Sequence, residues 1–417
     1  MITVMETQDE DSFLLIAQTV ANLLNDGQLK SELADLQTTG SGFLSDVTTL
    51  VGEARYEEYF LRMVPHIDLV YKQCSDKEAE CIVNLLIHAL ARLSEDRLAE
   101  NALVLASALT KGEDHADERL AGVLNLYGVV PSARAQYALL LRASEFARGG
   151  ARTAKMLSAA VQGKADRWVR EWGLSAAESG ALYLSFALLF KAVNDKASIK
   201  EYMKLITLAL NLTPESDAAA LAAIRPHAAT AAGDFIRSPY IYQCDLTEAP
   251  AVRQLATDPA YSGLHKLLTV MLAGDITGFR TAASPAVLEQ LGVSLETALS
   301  KARMVALLAL GCRAGHDELS FSAISAALDV PLEKVETWII RAIGAKLLEG
   351  KIDQVRSCLS LSRCTHQTFG AKQWTDLRSQ LAAWKENLAG VSSTISSVQP
   401  PANALVRAAA AASAVRA

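Results

Sequence analysis

From residue 10 to about residue 300, nearly every segment of this chain repeats its apolar residues at helical spacing, and none alternates as a strand does. A helix that is apolar along one stripe must bury that stripe, so a run of this length made of helices alone must stack helix on helix. Two helix starts are explicit. Ser75-Asp76-Lys77-Glu78 has the spacing of a capping box, and Cys81, Ile82, Leu85, Leu86 and Leu90 follow on one face. Ser175-Ala176-Ala177-Glu178 repeats the device ahead of Leu182, Leu184, Ala187, Leu188 and Ala192. Thr213-Pro214-Glu215 reads as a third start, with proline at the first helical position. Breaks recur at Thr39 to Gly42, Lys111 to Asp114, Val130-Pro131, Gly149-Gly150, Gly173 and Ala273 to Asp275. Helices of about fifteen residues joined by short turns predict an α-solenoid of stacked helix pairs, with a curved surface suited to binding a partner. The period is structural, since no sequence motif repeats strictly.

The pattern changes near residue 300. Lys301 to Cys312 reads as one more apolar helix, and Phe321 to Leu328 as a short one with Phe321, Ile324 and Leu328 on one face. Pro331 starts a third, whose positions Leu332, Val335, Trp338, Ile339, Ala342, Ile343 and Leu347 keep the 3.6-residue period. A strand through Leu348-Glu349-Gly350-Lys351-Ile352, a polar turn and a second strand with Leu359 and Leu361 complete a two-stranded wing. These elements predict a winged helix with Phe321, Ile324, Val335, Trp338, Ile339 and Phe369 in its core. A last helix from about Ala371 places Trp374, Leu377, Leu381, Trp384, Leu388, Val391, Ile395 and Val398 three and four residues apart in turn. That is a heptad seam, narrower than the face of a helix lying on its own core. The expected organisation is all-α with a small β wing: a helical segment over 1–45, a helical-repeat array over 46–300, the winged helix over 301–366, the seam helix over 367–398 and a disordered Ala-rich tail over 399–417.

Composition narrows the function. The chain has 417 residues, 51% hydrophobic, and a net charge of −6, which supplies a large core and argues against broad nucleic-acid binding. The six cysteines are unpatterned, as in a reducing compartment, and no zinc-ligand spacing occurs. The acidic start MITVMETQDEDSF has no secretory pattern, and the apolar run Ala181 to Phe190 is too short to span a bilayer. A soluble, cytoplasmic chain is expected. No phosphate-binding loop, dinucleotide fingerprint, zinc-protease or nucleophile-elbow motif occurs, so no enzyme, cofactor, metal or small-molecule substrate is expected. His115 in KGEDHADE reads as part of a solvated acidic loop, and Cys358 and Cys364 as core or surface thiols. Trp168 and Trp172, four residues apart, read as the apolar face of a short helix and as core, in preference to an aromatic patch for nucleic acid.

The outer face of the third winged helix carries Glu333, Lys334, Glu336, Thr337, Ile340 and Arg341, so two acids cancel two bases. A DNA-reading helix presents Arg, Lys, Asn or Gln to base edges instead. Lys346, Lys351, Arg356 and Arg363 around the wing could make weak contact with RNA phosphates. Contact with another protein is the better use of this shape. The candidate partner residues are Leu348, Lys351, Ile352, Leu359 and Leu361 in the wing and Trp374, Leu377, Leu381, Trp384 and Leu388 in the seam.

A helical array that ends in a winged helix and continues into a long helix resembles the PCI family, the scaffold subunits shared by the proteasome lid, the signalosome and translation initiation factor three. DRWVREWGLS (166–175) and HQTFGAKQWTDLRSQLAAWKENL (366–388) are similar to the corresponding segments of the initiation-factor members, and KID at 351–353 matches the family's wing. In the second stretch His366, Thr368, Phe369, Gln373, Trp374, Leu377, Leu381, Trp384, Asn387 and Leu388 fall on that pattern. The architectural likeness covers about residues 50–390. The resemblance implies a non-enzymatic scaffold subunit whose partners are other PCI and MPN subunits of initiation factor three, with the small ribosomal subunit reached through the complex. In such complexes the winged helices line up edge to edge and the helices after them share a bundle. A subunit of the signalosome or proteasome lid would rest on the same physics. A winged-helix nucleic-acid binder is the alternative of a different class.

Overall fold

The structure, a computed structural model, describes residues 10–29, 40–314, 318–368 and 370–398. The expected tail at 399–417 and the core position Phe369 lie outside them. The chain divides into two compact units, Met1–Ala231 with Ala249–Gln254, and Ala232–Glu248 with Leu255–Ala417.

The first unit is built of stacked helices. Helix Asp76–Leu90 packs on Ala116–Val129, and Glu95–Leu109 on Ala133–Ala147, so each helix meets the next but one as well as the next. The turns are short because their residues suit them. Asn194 takes the left-handed conformation that ends helix Ala176–Val193, and the Asp195 side chain accepts a hydrogen bond from the Ser198 amide at 2.6 Å to open helix Lys196–Asn211. Ser175 and Glu178 form the expected capping box: the Glu178 carboxylate accepts from the Ser175 amide at 3.0 Å and hydroxyl at 2.7 Å, and the Ser175 hydroxyl accepts from the Glu178 amide at 3.3 Å. The start expected at Pro214 lies later. Helix Ala218–Arg237 is opened by Asp217, whose carboxylate accepts from the amides of Ala219 and Ala220, and Pro214 sits in the preceding turn. An acid in reach of two free amides outweighs the preference of proline for a first turn.

Two side-chain clusters tie this unit together. Arg119 is fully buried, yet it donates to the carbonyls of Asp114 at 2.6 Å and Leu109 at 3.2 Å and to the Asp68 carboxylate at 2.7 Å, with Tyr71 stacked 4.3 Å from its guanidinium. The loop read as acidic and solvated thus supplies a carbonyl to a buried cation. Trp168 and Trp172 stack at 5.8 Å and meet Tyr127, Tyr137 and Phe186, but both are half-buried, not enclosed as core. The nearby Arg167 is engaged with Glu171 at 2.6 Å. By length and composition alone, helix Ala176–Val193 is apolar enough to cross a membrane; here Leu182, Tyr183, Phe186, Ala187, Leu189 and Phe190 are buried.

The second unit is organised around helix α1 (Leu295–Ala314). Ala298, Ala302, Met304, Val305, Ala306, Leu307, Leu308, Ala309 and Gly311 are all buried, which covers the helix nearly all round. Helices Ser262–Ala273 and Ile276–Ala282, helix α2 (Phe321–Leu328) and strands β1 (Glu318–Ser320) and β3 (Cys358–Cys364) pack on it. Helix α3 (Leu332–Gly344) follows α2, capped by Pro331, and strand β2 (Leu348–Asp353) pairs with β3 across the wing turn. The sheet has three antiparallel strands in the order β1-β3-β2, one more than the sequence suggested. Three residues reading ELS carry too little alternation to announce a strand. The register of β2 against β3 shifts between Glu349 and Gly350, which leaves Ser362 of β3 as the extra residue, and a Cβ on Gly350 would lie 2.5 Å from the Ser360 carbonyl oxygen. Phe321, Ile324, Val335, Trp338 and Ile339 are buried, Ile324, Val335 and Ile339 completely. Arg303 and Arg341 lie 5.7 and 4.8 Å from the Trp338 ring. Replacing Trp338 by Ala should destabilise the unit by about 3–5 kcal/mol in a denaturant titration, since the ring fills a closed site.

Lys301 is the one lysine among the buried residues of α1. Its ammonium donates to the carbonyls of Phe235 and Ser238, at the end of helix Ala218–Arg237, and lies 4.1 Å from the centre of the Phe235 ring. Burial pushes its pKa down from 10.5 to about 7. A neutral amine still has two N–H donors for the two carbonyls, so losing the proton orphans neither. Between pH 7 and 10.5 the unfolded chain then holds a proton that the folded one has shed. Stability should rise with pH across that window, by at most about 1.4 kcal/mol per pH unit. Melting curves of the wild type and of Lys301→Met would check this, with the rise missing in the variant.

Candidate subunit interface

The segment after β3 is held before it becomes a helix. Thr365 donates its amide to the Leu347 carbonyl at 3.0 Å, Gln243 donates to the His366 carbonyl at 3.2 Å, and Cys244 donates its amide to the Gln367 carbonyl at 2.7 Å. The Gln367 side chain donates to the Val305 carbonyl of α1. Gly370 then opens helix α4 (Ala371–Val398): its amide donates to the Gln373 side chain at 3.0 Å and its carbonyl accepts from the Trp374 amide at 3.2 Å. That is the glutamine half of a capping box, and it fixes where the helix begins.

Every residue of α4 from Trp374 to Ser397 is exposed. The seam is therefore a stripe of apolar side chains in water: Trp374 is 61%, Leu381 52%, Trp384 63% and Leu388 69% accessible, with Leu377, Val391 and Ile395 in line. At about 1.5 Å per residue the helix spans roughly 40 Å. A lone helix gains little stability from propensity and needs its apolar face covered. Seven large apolar residues on one line, with polar residues on the other faces, suit knobs-into-holes packing against further helices.

The wing positions divide. Leu348, Leu359 and Leu361, expected as partner contacts, are buried in the domain's own core, with Leu359 fully so. One face of the sheet lies on α1, and alternate residues of each strand must turn toward it. Lys351 is exposed and Ile352 half-exposed on β2, an edge strand. The outer face of α3 shows Leu332 and Ile340, 56% and 60% accessible, and Val355 at the wing turn is 97% accessible; spacing on the sequence pointed to Ile340, set Leu332 with the inward stripe and gave no signal for Val355.

Electrostatics weigh against the other use of the shape. Arg356 forks onto Glu318 at 2.9 and 2.6 Å, and Arg363 pairs with Glu349 at 3.1 Å, so two of the four basic wing residues already face carboxylates. The Gln354 side chain donates to Glu336 at 2.8 Å, which ties the wing turn to α3. Lys346 and Lys351 are the basic residues left to the expected phosphate contact. Among the described residues no group of three His, Cys, Asp or Glu could hold a metal ion.

The winged helix coincides with a known sequence pattern: the family described as the PCI domain matches residues 301–363. The winged helix is thus similar to a PCI domain. The PCI domain here is followed by a second match, to the family described as "eIF3 subunit M, C-terminal helix", over residues 368–395, which is the linker end and the exposed seam. Curated relatives agree along the rest of the chain. Eukaryotic translation initiation factor 3 subunit M of Aspergillus clavatus is 26% identical over 379 residues, covering 84% of this chain and 79% of that protein. The protein of the same name from Emericella nidulans is 26% identical over 413 residues, 93% and 88% of the two chains. That of Aspergillus terreus is 27% identical over 334 residues, 77% and 71%. The likeness thus extends well beyond the PCI domain.

Replacing Leu381 and Trp384 together by Ser should leave the melting temperature of the isolated chain nearly unchanged, because exposed substitutions away from special features cost within about 0.5 kcal/mol. Differential scanning calorimetry would check it; a clear loss of stability would mean that the seam is covered by its own chain.

Proposed function

We propose that this chain is a non-catalytic scaffold subunit of translation initiation factor 3, held in the complex by α4 and by the exposed edge of its wing. The observation that carries the reading is the coincidence of two independent facts. The helix that leaves its apolar seam uncovered is the helix whose sequence matches the subunit M pattern. The seam, from Trp374 to Leu388 and on to Ile395, enters a helical bundle with neighbouring subunits. Lys351, Ile352 and the backbone of β2 meet the winged helix of a PCI subunit alongside, and Leu332 and Ile340 extend that surface. Assembled this way the subunit acts in the cytoplasm, in the recruitment of the small ribosomal subunit and mRNA, with any RNA contact confined to phosphates near Lys346 and Lys351.

Affinity purification of the tagged chain from its own cells, followed by mass spectrometry, tests this. Initiation-factor subunits should dominate the recovered proteins, and Leu381→Ser with Trp384→Ser should reduce them at least tenfold. Recovery of proteasome-lid or signalosome subunits instead would overturn the assignment. Undiminished recovery with the double variant would overturn the role of the seam.

A further inference from the structure

Cys312, near the end of α1, and Cys364, the last residue of β3, bring their sulfur atoms to 3.3 Å. The two are 52 residues apart in sequence, and each is half-buried, so both are close and reachable from solvent. The approach is built into the backbone. Gly311 lets the strand end close on the helix, since a Cβ there would stand 3.0 Å from the Cys364 sulfur. Cys364 is also within 3.5 Å of the Leu308 carbonyl, and Cys312 within 3.5 Å of the Thr365 carbonyl. Cys358, at the other end of the strand, is buried beside Glu318 and takes no part in this contact.

We propose that Cys312 and Cys364 are an oxidant-responsive thiol pair that closes to a disulfide with hydrogen peroxide. A disulfide needs its sulfur atoms at about 2.05 Å, so closure asks for a shift on the order of one ångström, within reach of side-chain rotation. The hydrogen bond from Cys364 holds the Cys312 thiol below its ordinary pKa, which makes Cys312 the first nucleophile. Its thiolate attacks one peroxide oxygen; the S–O bond forms as the O–O bond breaks, and the departing hydroxide takes up the thiol's proton and leaves as water. Cys364 then attacks the Cys312 sulfur; the S–S bond forms, the S–O bond breaks, and the hydroxyl leaves as a second water with the proton of Cys364. Two thiols are oxidised and one peroxide is reduced to two waters. The bond ties α1 to the head of the segment Thr365 to Gly370 that launches α4, so oxidation stiffens the root of the seam helix. The pair stands apart from the assignment of the complex.

The test is made on the full purified chain, reduced and then treated with hydrogen peroxide, with remaining thiols blocked and the products mapped by mass spectrometry. The expected product has lost two hydrogens, joins the Cys312 and Cys364 peptides, and is reversed by dithiothreitol. Amide exchange across residues 365–368 should slow at least threefold in it. Cys364→Ser should abolish the joined peptides and leave a sulfenic acid on Cys312 that dimedone labels. Cys81→Ser, which removes an exposed thiol, should leave the product intact. Oxidation confined to other cysteines, or joined peptides that arise only between two chains, would overturn the proposal, and the wild-type measurement alone can return either result.

Discussion

Enclosing α1 on nearly every side is the condition the second unit depends on. A helix buried all round has no polar face to spare, so everything near it must be arranged to cover it. Two preceding helices, α2, β1 and β3 do so. The same enclosure explains the position of Lys301. The residue spends its N–H donors on the carbonyls that end helix Ala218–Arg237, satisfying acceptors that would otherwise be buried and unpaired. It also explains the wing. Leu359 and Leu361 are directed inward because the sheet lies on α1, and that leaves only an edge and one polar face for contact outside the domain.

This division of labour separates the PCI domain from a DNA reader of the same outline. In both, α3 packs an apolar stripe inward and offers its other side. Here that side is charge-balanced with Leu332 and Ile340 exposed, and the space between helix and wing is bridged by Gln354 and Glu336. Arginines that would neutralise phosphate face Glu318 and Glu349 instead.

Much of this was legible from residue types and spacing. The capping box at Ser175, the period of α3 and the heptad steps of α4 each rest on a local rule, and local rules are what a sequence displays. The errors have a common cause in long-range geometry. Leu348, Leu359 and Leu361 alternate as strand residues whether they face a partner or their own core, and only the position of α1 decides between the two. β1 is invisible because three residues gain strand character solely from pairing with Ser360, Leu359 and Cys358. Pro214 fits the pattern of a first turn, whereas the amides of Ala219 and Ala220 have the Asp217 carboxylate within reach. The contact of Cys312 with Cys364 spans half a hundred residues and leaves no mark on either neighbourhood.

The exposed seam has a further consequence for the unassembled chain. A helix of roughly 40 Å whose apolar side faces water is stable only to the extent that something binds it, so its folding equilibrium is tied by mass action to the concentration of its partners. A copy made in excess of them presents a long sticky stripe and a helix prone to fray, both of which invite aggregation and proteolysis. On the scaffold role proposed above, the amount of this protein that persists follows the supply of its neighbours, and the solubility of the parts enforces the stoichiometry of the assembly.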